Sequence, residues 1–322
     1  MDAVIYSRYG PPEVLRFMDV DRPIPKGNEV LIRVHATSVT NADCYMRRAE
    51  TIMGRIILGI RKPRRKILGT ELAGVIEATG KDVTRFKNGD KVYGFTGFGL
   101  GAYAEYSCMP EKGSLVIKPE SLTFEEAVAL VDGASTALYF LRAKANIRSG
   151  QKVLILGASG SIGTSAVQLA RHFGAEVTGV CSAANLDLVR SLGADNVIDY
   201  KKEDFTKNGE TYDIIFDTIN KSSFSLCRSS LNSNGCYITT TGSPVQYLRM
   251  LWTYLAGGKR SLCGMSIDKT DALIYVKGLI EAGSMRPVID RCYRLGQMAE
   301  AHRYVEQGHK KGNVVVAVEE RS

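Results

Sequence analysis

Histidine is scarce in this chain of 322 residues, with four scattered copies, and tryptophan occurs once. The seven cysteines, at 44, 108, 181, 227, 236, 263 and 292, are odd in number and form no C-x-x-C pair. That argues against a disulfide framework and points to a reducing compartment. No apolar run approaches the roughly eighteen uninterrupted residues that a membrane span needs. The opening Met1-Asp2-Ala3-Val4 lacks the basic-then-apolar order of a signal peptide. A cytoplasmic protein with no membrane span is expected. Internal repeats and low-complexity segments are also lacking.

What remains is an ordinary globular composition, 44% hydrophobic, on a chain long enough for two cores. The net charge of +8 is uneven: residues 47–66 carry eight basic side chains against Glu50 alone, and the rest is nearly neutral. So local an excess says little about nucleic acid, and no such partner is expected.

The first hundred or so residues read as β-rich. Residues 30–36 alternate apolar and polar, residues 72–77 form another strand, and Gly89-Asp90 turns into a third. From Thr123, followed by Glu125 and Glu126, the period becomes helical. Strands at 153–156, 177–181, 197–200, 213–219, 236–240 and 261–264 then follow, with helices at 162–173, 186–192 and 222–231 among them. Such alternation predicts an α/β fold with a parallel sheet covered on both faces. Residues 297–307 read as a helix and 314–318 as a strand.

The sharpest local signal is Val153-Leu-Ile-Leu-Gly157-Ala-Ser159-Gly160-Ser161-Ile162-Gly163. An apolar strand enters the loop and a helical pattern leaves it. Gly157 can turn tightly, Gly160 lets backbone N–H groups approach a pyrophosphate, and Gly163 allows close helix–strand packing. The helix N-terminus adds partial positive charge. A dinucleotide site over residues 157–163 is the expectation, and a tight turn without a ligand is the alternative. The strand after this helix selects the cofactor. A carboxylate at its end would bind a ribose 2′-OH and repel a 2′-phosphate. Here the strand ends Val180-Cys181-Ser182, without an acid. Ser182 and Asn185 can hydrogen-bond a phosphate, and Tyr200 ends the neighbouring strand, so NADPH is expected. The alternative makes Ser182 and Asn185 helix caps.

These motifs, together with Gly193-Ala-Asp-Asn-Val-Ile-Asp-Tyr200, Gly69-Thr-Glu71-Leu-Ala-Gly74 and Gly101-Ala-Tyr-Ala-Glu-Tyr106, resemble the medium-chain dehydrogenase/reductase superfamily. The similarity spans essentially the whole chain and is greatest to the zinc-independent quinone oxidoreductase (zeta-crystallin-like) branch. It implies a GroES-like β-barrel domain from residues 1–123 and 265–322, a Rossmann domain over 124–264, and a homodimer. Where the zinc-dependent relatives place their ligands, this sequence has Thr40, Thr70 and the stretch 132–135. No convergent set of N, S or O ligands can be assembled, so no metal is expected.

Without a Lewis acid, hydride transfer to a plain ketone develops an alkoxide with little help. Quinones, enones and other α,β-unsaturated carbonyls spread the arriving charge by conjugation, so a small hydrophobic acceptor of this kind is expected. Enoyl thioesters are the catalytic alternative, and an NADPH-binding module engaging RNA or anionic lipid is the non-catalytic one. The resemblance implies that Tyr45 donates to substrate oxygen, against a packing role in the barrel. It also implies cofactor contacts from Asn41 or its neighbour Thr40 and from Thr136; Thr241-Gly242 and Gly264-Met265-Ser266 follow strand ends on the carboxyl edge of the sheet, where ligands of such folds bind, and Asn313 is a further cofactor candidate. Thr136 could equally cap a helix, and Thr241-Gly242 and Gly264-Met265-Ser266 could be plain turns. Residues 44–68 form a long excursion with an apolar first half, 52–60, and a basic second half, 61–66. It reads either as a surface loop packed on the barrel or as a lid over the acceptor.

Overall fold

A computed structural model describes residues 1–318, without the side chains of Ile52 and Met53. The chain divides into two compact units, one of Met1–Val131, Asp268–Glu281 and the segment from Pro287, the other of Asp132–Ile267 and Ala282–Arg286.

The first unit opens with an antiparallel pair, β1 (Asp2–Ile5) and β2 (Arg16–Asp19). The long β3 (Glu29–Val39) leads into two short helices, α1 (Asn41–Arg48) and α2 (Ile52–Leu58). Then come β4 (Glu71–Thr79), β5 (Lys91–Phe95), β6 (Tyr106–Pro110), β7 (Ser114–Ile117) and α3 (Phe124–Val128).

The second unit follows with α4 (Val131–Leu138), β8 (Lys152–Leu156), α5 (Ser161–His172), β9 (Glu176–Cys181), α6 (Leu186–Ser191) and β10 (Asn196–Asp199). It continues through β11 (Tyr212–Asp217), α7 (Phe224–Cys227), β12 (Leu231–Thr239), α8 (Pro244–Ala256) and β13 (Arg260–Leu262). The chain returns to the first unit with α9 (Thr270–Glu281), β14 (Ile289–Arg294), α10 (Met298–Glu306) and β15 (Asn313–Ala317).

The first unit's sheet runs β14-β15-β3-β4-β5-β7, with β6 also on β3. It is the GroES-like barrel, and strand periodicity decides its two cores. Val314 and Val316 of β15 join Val30, Ile32, Leu72 and Leu115 in the interior, while Val315 between them faces the other way. There it meets Ala36, Ala73, Val128 of α3 and Leu273 of α9. Because α3 belongs to this outer cluster, the first unit continues past the 123/124 boundary read from the sequence.

The second unit is a six-stranded parallel sheet ordered β10-β9-β8-β11-β12-β13. The order reverses between β8 and β11, the crevice at which ligands of open α/β sheets bind. Within the sheet Val153, Leu154, Ile155, Ile215 and Phe216 are wholly buried. At the molecule's surface α8 is unlike its neighbours: Leu248, Leu251, Trp252, Tyr254 and Leu255 are all more than half exposed, and only Thr253 is buried.

Three readings of the sequence change. The helix expected over 222–231 shrinks to α7, because Leu231 already pairs with Tyr212 in the sheet. Helices α8 and α9 were not anticipated. The excursion over 44–68 is partly helical, and Thr40 and Thr51 cap its two helices. Leu58 packs in the barrel interior, while Ile56 and Ile57 are about half exposed.

Candidate cofactor site

The strand–loop–helix turn of the second unit is built by its glycines. Gly157 adopts φ +75°, a region costly for other residues, and an added Cβ would lie 2.5 Å from Ile219. Its N–H and that of Ala158 both bond the Val180 carbonyl, so the loop folds back on β9. An added Cβ at Gly163 would lie 2.1 Å from the Gly157 carbonyl oxygen, which fixes how closely α5 meets the strand end. Gly160 is the N-cap of α5 and supplies no side-chain hydrogen bond, so the first turn offers its N–H groups and dipole to an anion. At Gly160 an added Cβ would come no closer than 3.4 Å to any neighbour. Ser159, Ser161 and Ile162 complete the loop.

The carboxyl ends of the strands gather most of the remaining candidates. Asn185 is buried, and its amide donates to the Ser159 hydroxyl at 3.0 Å, joining the glycine loop to the end of β9. Its Oδ1 is buried without a hydrogen-bond partner, an orphaned acceptor beside the loop. Neither Ser182 nor Asn185 makes a side-chain cap, so the capping alternative does not account for them. Tyr200 lies beside them: its N–H bonds the Cys181 carbonyl at 3.2 Å and its side chain is exposed. Lys201 and Lys202 follow, also exposed. Asp199 lies in register with Cys181, and its carboxylate is buried and accepts the N–H of Lys201.

After β12, Thr241 joins Thr239 and Thr240 in hydrogen bonds around Asn220, and the Tyr247 ring lies against Gly242. After β13, Gly264 lies near the Tyr139 hydroxyl, Met265 is exposed, and Ser266 holds a second buried, unpartnered oxygen. Thr136 is buried and donates to Asp132 at 3.1 Å within α4, not at a helix start. The loop and orphaned acceptors fit a dinucleotide.

The first unit holds Asn41, Tyr45 and Asn313. Asn41 is the exposed first residue of α1. Asn313 begins β15, whose next residue pairs with Val39, but its amide donates to the Val288 carbonyl at 3.1 Å. Tyr45 is 40% exposed and so is not packed into the barrel; its hydroxyl bonds that of Thr51, the cap of α2.

Sequence reading missed the hub of this region, Asp43. Its Oδ2 accepts from Thr40 Oγ1 at 2.6 Å and its Oδ1 from Thr70 Oγ1 at 3.3 Å. The signal was the Thr40-x-x-Asp43 capping spacing directly after a strand. Two of the three positions matched to zinc ligands are thus hydroxyls engaged with a buried carboxylate, and in the third, 132–135, Asp132 accepts from Thr136. Among the described residues no group of three or more His, Cys, Asp or Glu is arranged around a metal. This donor set does not fit zinc.

Behind the hub, Cys44 Sγ lies 3.3 Å from His302 Nδ1, and His302 Nε2 lies 3.2 Å from the Tyr103 hydroxyl. Burial raises the Cys44 thiol to about 12, so it is inert as a nucleophile. Burial, then the Arg47 charge, lowers His302 to about 3. Unfolding therefore takes up a proton between pH 6.5 and about 3, and the neutral imidazole's contribution, full above 6.5, is lost as pH falls through that window. Stability should drop by up to about 1.4 kcal/mol per pH unit there. Urea unfolding at pH 7 and 5 should show His302→Gln losing less on acidification than the wild type. Equal losses would assign the acid sensitivity elsewhere.

Comparison with known proteins agrees with this architecture. The alcohol dehydrogenase GroES-like domain family matches residues 26–120 and the zinc-binding dehydrogenase family residues 192–316. A chloroplast envelope quinone oxidoreductase homolog of Arabidopsis thaliana is 33% identical over 332 residues, covering 98% of both chains. The human mitochondrial NAD(P)H oxidoreductase RTN4IP1 is 31% identical, covering 99% of this chain and 89% of that protein. The solved quinone oxidoreductase from Coxiella burnetii superposes with a TM-score of 0.90 at 28% identity, over 99% of each chain. The chain belongs to the medium-chain dehydrogenase/reductase family of oxidoreductases, in its quinone oxidoreductase group.

Proposed function

We propose that the protein is an NADPH-dependent reductase of quinones, enones or related α,β-unsaturated carbonyls, working without zinc. The observation that carries this reading is the replacement of a metal site by the Thr40–Asp43–Thr70 hydroxyl–carboxylate cluster within a dehydrogenase frame. Bound NADPH would supply the hydride. The α5 N-terminus and the loop from Gly157 to Gly163 would hold the pyrophosphate, and Tyr45 would offer its hydroxyl to the acceptor oxygen by exchanging its Thr51 partner. A conjugated acceptor needs only alignment and such a donor, whereas a plain ketone needs a Lewis acid. An enzyme preferring enoyl-CoA to free quinones would instead be an enoyl-thioester reductase.

Selection of NADPH over NADH is supported by Ser182, Tyr200 and the exposed Lys201 and Lys202 around a strand end without its own acid. Ser182→Asp puts a negative charge at that end. It should lower the NADPH/NADH preference tenfold or more, on the order expected for two like charges a few ångströms apart. Unchanged preference would remove the 2′-phosphate from this corner.

A homodimer formed through α8 and β13 belongs to the same reading. Strand β13 is an edge of the parallel sheet, and the apolar α8 beside it has nothing covering Leu251, Trp252 or Leu255. Light scattering should give twice the 35.2 kDa chain mass, and a monomer at micromolar concentration would rule this out.

A further inference from the structure

The basic excursion presents cations and aliphatic side chains together. Arg61, Lys62, Arg64, Arg65 and Lys66 are all exposed, and residues 51–66 contain no acid. None of these five makes an ion pair among the described residues, whereas the nearby Arg47 is paired with Glu306 and Arg48 with Glu50 and Glu306. Beside them Ile56, Ile57 and Ile60 are 52%, 47% and 66% exposed, and Phe98 from the loop after β5 is 51% exposed. Ile57, Phe98, Arg64 and Arg65 share one face, for they line a single recess of about 120 Å³ floored by Tyr6, Leu58 and Leu100, and the other cations and isoleucines are their neighbours in the chain. The recess has an apolar floor and cationic walls.

We propose that this face docks on an anionic lipid surface, with the isoleucines and Phe98 entering the headgroup boundary and the five cations meeting lipid phosphates. Charge complementarity selects the partner. Unpaired cations need an anionic surface, and exposed aliphatic side chains gain by leaving water, which a bilayer allows and a nucleic-acid backbone does not. Nucleic acid would favour stacking platforms, and Phe98 is the one exposed aromatic among the residues lining the recess. A rigid anchor follows from the fold, because α2 is pinned by Leu58 in the barrel interior and by the hydrogen bond from the Tyr9 hydroxyl to the Gly59 carbonyl.

The test is vesicle co-sedimentation of the full chain. Vesicles of phosphatidylcholine with about one-third phosphatidylglycerol should bind it, and phosphatidylcholine alone should not. Each neutralised cation should weaken binding about fivefold, so Arg64→Gln/Arg65→Gln/Lys66→Gln should lose on the order of a hundredfold. Ile57→Ser/Ile60→Ser should bind more weakly while keeping the salt dependence. All three proteins should melt alike, since the altered side chains are exposed. Equal binding to neutral vesicles, no binding to either, or undiminished binding by the folded triple variant would overturn the proposal. So would displacement from vesicles by single-stranded RNA at equal charge concentration. None of these readouts depends on NADPH or turnover, so failure here leaves the enzymatic reading standing.

Discussion

Gly163→Ala should lose both NADPH binding and stability. The added methyl would sit 2.1 Å from the Gly157 carbonyl oxygen and 2.8 Å from the Ala158 backbone, so helix and loop must separate. Overpacking of this kind costs about 1–3 kcal/mol. The displaced loop can no longer present its N–H groups, and NADPH affinity should fall on the order of a hundredfold. Gly160→Ala is the informative partner. Its methyl meets nothing closer than 3.4 Å, so the fold should hold while approach of a pyrophosphate to the loop is obstructed. Melting curves with and without NADPH separate the two. Wild-type binding by Gly163→Ala would mean that the glycine serves packing alone.

The second large effect lies at the join of α1 and α10. Arg47 is fully buried; its Nε donates to the Gly10 carbonyl at 3.0 Å and its Nη2 to Glu306 at 2.5 Å. Glu306 also takes Arg48 Nη1 at 2.5 Å. Glu306→Gln would leave two guanidinium groups against a neutral amide, one of them out of reach of water. Removing one partner of a buried pair costs about 3–5 kcal/mol, and because the Glu306 side chain is 21% exposed the lower end applies. Urea unfolding at neutral pH should show a fall of about 3 kcal/mol. Glu210→Gln, which breaks the exposed pair with Lys152, should leave the midpoint where it was. Similar midpoints for both variants would mean that water reaches Arg47.

The sequence carried the parallel sheet because its buried strands are short apolar runs alternating with helices, and the glycine loop because three glycines stand where a strand meets a helix. Element types were legible where one periodicity held. Helix α8 was not, since its polar residues Gln246, Arg249 and Thr253 fall on the stripe turned inward and the apolar residues face out, the reverse of the usual pattern, although Ser243, Pro244 and Gln246 form a readable cap. Helix α9 was readable in Leu273, Val276 and Ile280, which fall on one buried stripe. The helices at 41–58 were hidden by short length and by Gly54 in the second.

At the site, residue types were legible and partners were not. Asn185 was named for its amide, but its reach to Ser159, 26 residues away, comes from β9 lying beside β8. Asp43 passed unnoticed because a lone aspartate after a strand reads as a cap. Its second role, gathering Thr70 from 27 residues away, exists only once β3 and β4 have paired.

The most direct measurement is NADPH oxidation with a conjugated enone and its saturated ketone, each with and without a zinc chelator. The cluster of Thr40, Asp43 and Thr70 in place of metal ligands predicts turnover of the enone, a rate for the ketone lower by on the order of a hundredfold, and no effect of the chelator. Equal turnover of the two acceptors, abolished by the chelator, would contradict it.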